Sequence, residues 1–175
     1  MIKQVKGTEE ILDLALQTFI TRTIEKYLAC HNFTKIQLPI LQPTSLFLRT
    51  LGEESDVISK EMYIFKRGDS KESICLRPEA TAPTMRAFLE SGITILPWKT
   101  FTIGSMFRHE RPQKGRWREF TQVNLEIIGS EHIAQDAHLI AILSTLFSQH
   151  CMLEDFILHI NYLGTKNERL LYTEL

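Results

Sequence analysis

Residues 101–129 read FTIGSMFRHERPQKGRWREFTQVNLEIIG. Two runs rich in β-branched and aromatic residues, about Lys99–Arg108 and Glu119–Gly129, enclose the polar span HERPQKGRWR. Pro112 and Gly115 make that span an extended loop. The two runs are therefore expected to pair as an antiparallel hairpin with a long polar tip.

The tip is strongly basic. Arg108, Arg111, Lys114, Arg116 and Arg118 crowd together against Glu110 alone. Positive charge at this density is expensive to assemble without an anion, and guanidinium forks match phosphate oxygens two at a time. A solvated basic loop paired with local acids is the bland alternative. Placement argues for a site. Arg108 closes the first strand and Phe120 opens the second, so pairing lets both approach one pocket. An aromatic face beside a phosphate-binding arginine suits a nucleotide. Gln122, Asn124 and Glu126 follow Phe120 at period two and share its face. Such a polar stripe is costly in a core unless it lines a cavity, although a strand with one wet face would show the same pattern.

Upstream, LRPEATAP (76–83) places Arg77 and Glu79 at a strand-to-helix junction, with Thr81 close by. A carboxylate there can bind an ammonium group or cap the helix, and local sequence leaves both open. The helix should run from about Thr81 to Glu90, ended by Gly92. Two short strands, near Met62–Phe65 and Ser73–Leu76, flank the turn KRGDSKE. Further upstream, Pro39 ends or bends the strand TKIQLPIL, and a helical stretch spans about Ser45–Leu51. The first helix is expected over about Thr8–His31, with Thr8 as N-cap and an apolar face of Leu12, Leu16, Phe19, Ile20, Ile24, Tyr27 and Leu28. Downstream come a helix over about Ala134–Gln149, a strand near Phe156–Tyr162 and a helix from about Thr165. KNERLLYTEL runs to the last residue without a stop signal, which suggests that the natural chain continues.

The chain has 175 residues, enough for one domain with a sizeable core. Its hydrophobic share of 43%, charged share of 23% and net charge of −1 are ordinary for a globular protein. The overall charge decides nothing about nucleic acid, and no apolar stretch approaches the 18 or so residues of a membrane span. TEEILDLALQ is acidic and amphipathic where a secretory leader would be apolar. Cys30, Cys75 and Cys151 match neither a zinc spacing nor a disulfide framework and read as buried or inert thiols of a reducing cytoplasm. There is no internal repeat or low-complexity linker.

Taken in order, KGTEEIL (6–12), KIQLPILQPTSLF (35–47), GEESDVISKEMYIF (52–65), LRPEATA (76–82) and MFRHERPQKGRWREFTQ (106–122) are similar to the class II aminoacyl-tRNA synthetase catalytic core. Within that class they resemble the histidyl-tRNA synthetase family. The resemblance covers nearly the whole chain. It implies an α+β fold, an antiparallel sheet flanked by helices, with residues 1–175 forming a partial catalytic domain. Residues of about 8–45 would form the dimer-interface motif and residues of about 99–129 the ATP-binding strand, loop and strand. Arg108 would grip the α-phosphate and be the catalytic residue. Glu110 would lie near the adenine, Phe120 would stack on it, and Arg116 would reach the outer phosphates. Glu79, Thr81 and Gln122 would hold the amino group of histidine, and Glu126 would accept a hydrogen bond from its imidazole.

The implied reaction joins L-histidine to ATP as histidyl-adenylate, with release of pyrophosphate, and passes the histidyl group to the 3′ end of histidine tRNA. ATP with Mg2+, histidine, the tRNA in the full-length protein, a homodimer and a cytoplasmic location follow from the same resemblance. No protein cage for the magnesium is assignable. Departures from the pattern are Ala80, where the family usually has Gly, and Thr121, where His is common. The third class-defining motif, a histidine-specific loop with a further catalytic Arg and the anticodon-binding domain are absent from these residues. A second reading is a non-catalytic, histidine-sensing regulatory subunit of ATP phosphoribosyltransferase, in which parts of the ATP motif should be lost. A third is an unrelated nucleotide- or RNA-binding module with a basic loop.

Overall fold

A computed structural model describes residues 2–51, 61–66, 72–111 and 113–160. Its elements follow in chain order. Helix α1 spans Ala15–Cys30, followed by strands β1 (Thr34–Lys35) and β2 (Leu41–Pro43) and helix α2 (Thr44–Leu51). Then come β3 (Ile64–Lys66), β4 (Ser73–Leu76) and helix α3 (Thr81–Ser91). Strands β5 (Trp98–Phe107) and β6 (Glu119–Ile128) precede helix α4 (Ile133–Thr145), which runs into a π-helical turn at Leu146–His150.

The described residues form two three-stranded sheets, ordered β1-β5-β6 and β2-β4-β3. Pairing is antiparallel except where β1 joins β5 in parallel. The long β5–β6 hairpin is the spine of the molecule. One of its faces is apolar. Phe101, Ile103, Val123, Leu125 and Ile127 pack with Ile24 and Leu28 of α1 and with Ile142 and Leu146 beyond it. On the other face, Met106 is buried with Leu38 and Ala80, against Ala87 of α3 and Phe120. Phe47, Cys75 and Ala82 make a third cluster that ties α2, β4 and α3 together.

Several expected boundaries move. Helix α1 starts at Ala15 with Leu14 at its N-cap; Asp13 Oδ1 accepts the Ala15 amide at 2.8 Å just ahead of the helix, and Thr8, the expected cap, lies well upstream. The Thr8 hydroxyl instead donates to the Val5 carbonyl, closing a local turn. Only the C-terminal half of the expected apolar face is covered: Leu12 is 96% and Leu16 69% exposed, whereas Ile24 is 7% and Leu28 0%. The strand expected at TKIQLPIL shrinks to two residues before Pro39, which offers no amide to a ladder. Phe156–Ile160 lie outside any ladder, so the strand expected there is absent among the described residues. The helix expected from Thr165 and the whole of GEESDVISK fall outside the described residues. Gly92 does end α3, at φ 63° and ψ 30°, a left-handed geometry that side chains with a Cβ resist.

Candidate active site

The hairpin register builds the site. Phe120 pairs with Met106, Gln122 with Gly104, Asn124 with Thr102 and Glu126 with Thr100. Directly paired residues lie on the same face of a sheet, so these eight make one stripe opposite the helix-covered face. Thr100 and Thr102 are buried, and Phe120, Gln122, Asn124 and Glu126 are half-buried. The polar stripe expected from period two is therefore present, partly sheltered rather than fully wet. Within it, the Asn124 amide nitrogen donates to Glu126 Oε1 at 3.0 Å, which orients that carboxylate.

Arg108 and Phe120 meet as their strand positions require. The Arg108 guanidinium carbon lies 5.2 Å from the Phe120 ring centroid, within range of a cation–π contact. Its Nε donates to the Pro78 carbonyl at 3.0 Å, and its Nη1 stands 4.0 Å from Glu110 Oε1. The other Glu110 oxygen accepts from Arg116 Nη1 at 3.1 Å. Glu110 thus sits between two guanidinium groups and offsets part of their charge. This is the local pairing that the bland alternative foresaw, yet it leaves Arg111 and Lys114 exposed with no ion pair among the described residues.

Arg118 turns out to be an anchor. Its Nε donates to the Glu110 carbonyl and its Nη1 to the Lys6 carbonyl, while its backbone amide donates to the Gly7 carbonyl at 2.7 Å. The N-terminal KGT segment is thereby laid across the hairpin tip. Charge density alone grouped Arg118 with the anion-binding residues, and nothing local in the sequence marks a partner 112 positions away.

The turn 77–82 lies beside the stripe. Glu79 caps α3: Oε2 accepts the Thr81 amide, and Oε1 accepts the Ala82 amide at 3.0 Å. The capping reading of this carboxylate is therefore met. Each oxygen keeps a further lone pair, so the cap does not exclude an ammonium ligand. Thr81 is exposed at the first turn. Ala80 has φ −116°, so the family's usual Gly is not needed for a positive angle. Arg77, at the same junction, has no role that its local sequence assigns. It is buried, its Nε donates to the Ser105 carbonyl at 2.9 Å and its Nη1 to the Leu38 carbonyl at 2.8 Å, and burial holds its guanidinium below the usual arginine range.

A groove of about 760 Å³ lies on the opposite side of the hairpin, between α1 and β6, with Leu16, Ile20, Ile103 and Val123 in its walls. Phe120 borders it, but Arg108, Glu110, Gln122 and Glu126 are not among its lining residues. The convergent polar groups, rather than the larger apolar hollow, identify the site. Among the described residues no group of three or more His, Cys, Asp or Glu side chains could hold a metal ion. Of the thiols, Cys75 is buried and Cys30 exposed, so burial does not make all three inert.

Comparison with known proteins bears on the family. The family described as tRNA synthetase class II core domain (G, H, P, S and T) matches residues 63–170. The histidine–tRNA ligase of Thermosipho melanesiensis is 43% identical over 98% of this chain and 42% of its own length. That of Thermosipho africanus is 40% identical, again over 98% of this chain and 42% of its own. The chain thus spans less than half the length of these relatives. The apo S. aureus histidyl-tRNA synthetase superposes with a TM-score of 0.68 and 31% identity, covering 85% of this chain and 34% of that one. With the β5–β6 hairpin and the 77–82 turn both inside the matched span, this chain belongs to the class II tRNA synthetase core family.

Proposed function

We propose that the chain is the front part of the catalytic domain of a histidine–tRNA ligase. The observation that carries the reading is the convergence of Arg108, Phe120, Gln122 and Glu126 on one face of a hairpin, beside the Glu79 turn. The identity to histidine–tRNA ligases along nearly the whole chain supports it.

In this reading ATP binds over the hairpin tip. Arg108 holds the α-phosphate, Phe120 stacks on the adenine with Glu110 near it, and Arg116 leaves Glu110 to reach the outer phosphates. Histidine lies along the stripe. Glu79, Thr81 and Gln122 bind its ammonium group, and Glu126, oriented by Asn124, accepts a hydrogen bond from its imidazole. The histidine carboxylate then attacks the α-phosphorus, and the bond to pyrophosphate breaks. No protein group need take a proton in that step. Positioning and stabilisation of charge on the phosphorus oxygens supply the catalysis, chiefly through Arg108. Histidine tRNA receives the histidyl group in the second step.

Magnesium would arrive on the phosphates of ATP. The donor set favours this over a resident site, because the Glu79, Glu110 and Glu126 oxygens already accept from amides, guanidinium groups and Asn124. A homodimer formed through residues of about 8–45 and a cytoplasmic location belong to the same proposal. No described helix is long and apolar enough to cross a membrane. The histidine-sensing alternative is disfavoured because Arg108, Glu110, Arg116 and Phe120 are all kept and sit together.

The test is histidine-dependent exchange of pyrophosphate into ATP, run on this chain and on the longest natural polypeptide containing it. Exchange that needs histidine is expected, and Arg108→Ala should lower it on the order of 100- to 1,000-fold. Exchange in the longer polypeptide alone would mean that residues beyond 175 complete the site. Exchange in neither would overturn the ligase reading.

A further inference from the structure

Arg77 is 4% exposed, and no carboxylate pairs with it among the described residues. A buried cation without a counter-charge is expensive, and an apolar side chain of similar volume would fill the space at lower cost. The position of its donors gives the reason for keeping it. Nη1 holds the Leu38 carbonyl, on the segment before β2, and Nε holds the Ser105 carbonyl, on β5. The Arg77 backbone is fixed as well, since its amide donates to the Ile40 carbonyl and its carbonyl accepts the Phe107 amide, each at 3.0 Å. The next carbonyl along, that of Pro78, accepts Arg108 Nε. The residue after that is Glu79.

The geometry points to Arg77 as a positioning residue, which clamps the Pro78 carbonyl in place and through it aims the Arg108 guanidinium at the reacting phosphate. This rests on the proposed ligase reading and deepens it. Arg77 touches no substrate. It joins three segments far apart in sequence, and the carbonyl that orients Arg108 is set by that junction. Lysine would keep the charge, but its single ammonium lacks the planar fork that spans two carbonyls at once. Gly104 offers an independent handle. A Cβ built there would collide with Arg77 Nη2, so Gly104→Ala displaces the guanidinium without deleting any of its donors.

The experiment is histidine-dependent pyrophosphate exchange on the natural full-length polypeptide, with melting temperature measured alongside. Arg77→Lys should lower kcat about tenfold or more, the loss expected when a reacting group is misplaced, while KM for histidine changes less. Gly104→Ala should lower kcat in the wild-type background and much less in the Arg77→Lys background, because the clashing nitrogen is gone. Three results would overturn the inference. They are an unchanged kcat in Arg77→Lys, a loss that only tracks the unfolded fraction, and an equal Gly104→Ala effect in both backgrounds. Should Arg77→Lys fail to fold, Gly104→Ala decides alone: a kcat equal to wild type refutes the clamp. Absence of exchange in the wild type would instead overturn the ligase reading itself, and this inference with it.

Discussion

The two faces of the β5–β6 hairpin share one backbone and one register, yet they do opposite work. On the helix side, Phe101 is buried and Ile103, Val123, Leu125 and Ile127 pack around it. On the other side, Gly104, Gln122, Asn124 and Glu126 keep polar atoms half-open beside Arg108. Stability is concentrated on the first face, because removal of apolar area from water drives folding. The proposed recognition lies on the second, where half-buried polar groups are oriented and only partly solvated. One ten-residue strand serves both ends by alternation, so a single substitution should harm one property and spare the other.

The sharpest test of that separation is Phe101→Ala. Truncation of a buried Phe costs about 3–5 kcal/mol, so urea denaturation should show a large loss of stability. The histidine KM of the molecules that remain folded should stay near wild type. A large change in KM would break the separation of the faces.

Substitution on the polar face should do the converse. Gln122→Ala should raise the histidine KM roughly ten- to a hundredfold, the effect of losing a hydrogen bond to a charged ligand group, worth about 1.5–3 kcal/mol. Its denaturation midpoint should move little. Loss of stability without loss of histidine binding would show that the stripe is packing rather than a binding surface.

Glu79 sits where the two roles overlap, and paired variants can divide them. Glu79→Ala removes the cap on α3 and should cost about 1 kcal/mol of stability. Glu79→Gln keeps one acceptor oxygen and should recover part of that loss. If the carboxylate also binds the histidine ammonium, Glu79→Gln will still show the raised KM. A KM restored together with stability would leave Glu79 as a cap alone.

The smallest effect concerns thiols. Cys75 is buried and its thiol is pushed up by burial, whereas Cys30 is exposed. The thiolate is the reactive form, so a limiting alkylating reagent at neutral pH should label Cys30 in the folded protein and spare Cys75 until denaturant is added. Equal labelling would show that the cluster of Phe47, Cys75 and Ala82 opens readily.

The hairpin was legible in the sequence almost to the residue. Its strands alternate, its tip is polar, and Pro112 and Gly115 mark the loop, so local chemistry and register agree. Helix α3 was legible for a similar reason, since Gly92 is a strong stop. The start of α1 was not. Thr8 has a cap's chemistry, but the segment before it is held at Lys6 and Gly7 by Arg118, a contact across more than a hundred residues, and the helix begins only at Ala15. Apolar periodicity also overstated the buried face of α1, because it shows which side is apolar but not how far the packing partner extends. Phe156–Ile160 has strand composition, but a strand needs a neighbouring edge, and composition does not supply one.

The alternation of the β5–β6 hairpin, the charge of its tip and the meeting of Arg108 with Phe120 are already written in the order of the residues. All of these follow from the two-residue period and from pairing between neighbours in the chain. What Arg77 and Arg118 do was settled by packing between distant segments. Arg77 bonds to carbonyls 39 and 28 residues away, and Arg118 to one 112 residues away. A carbonyl carries no signature in the residue letter, so which one a buried guanidinium finds depends on how distant segments pack.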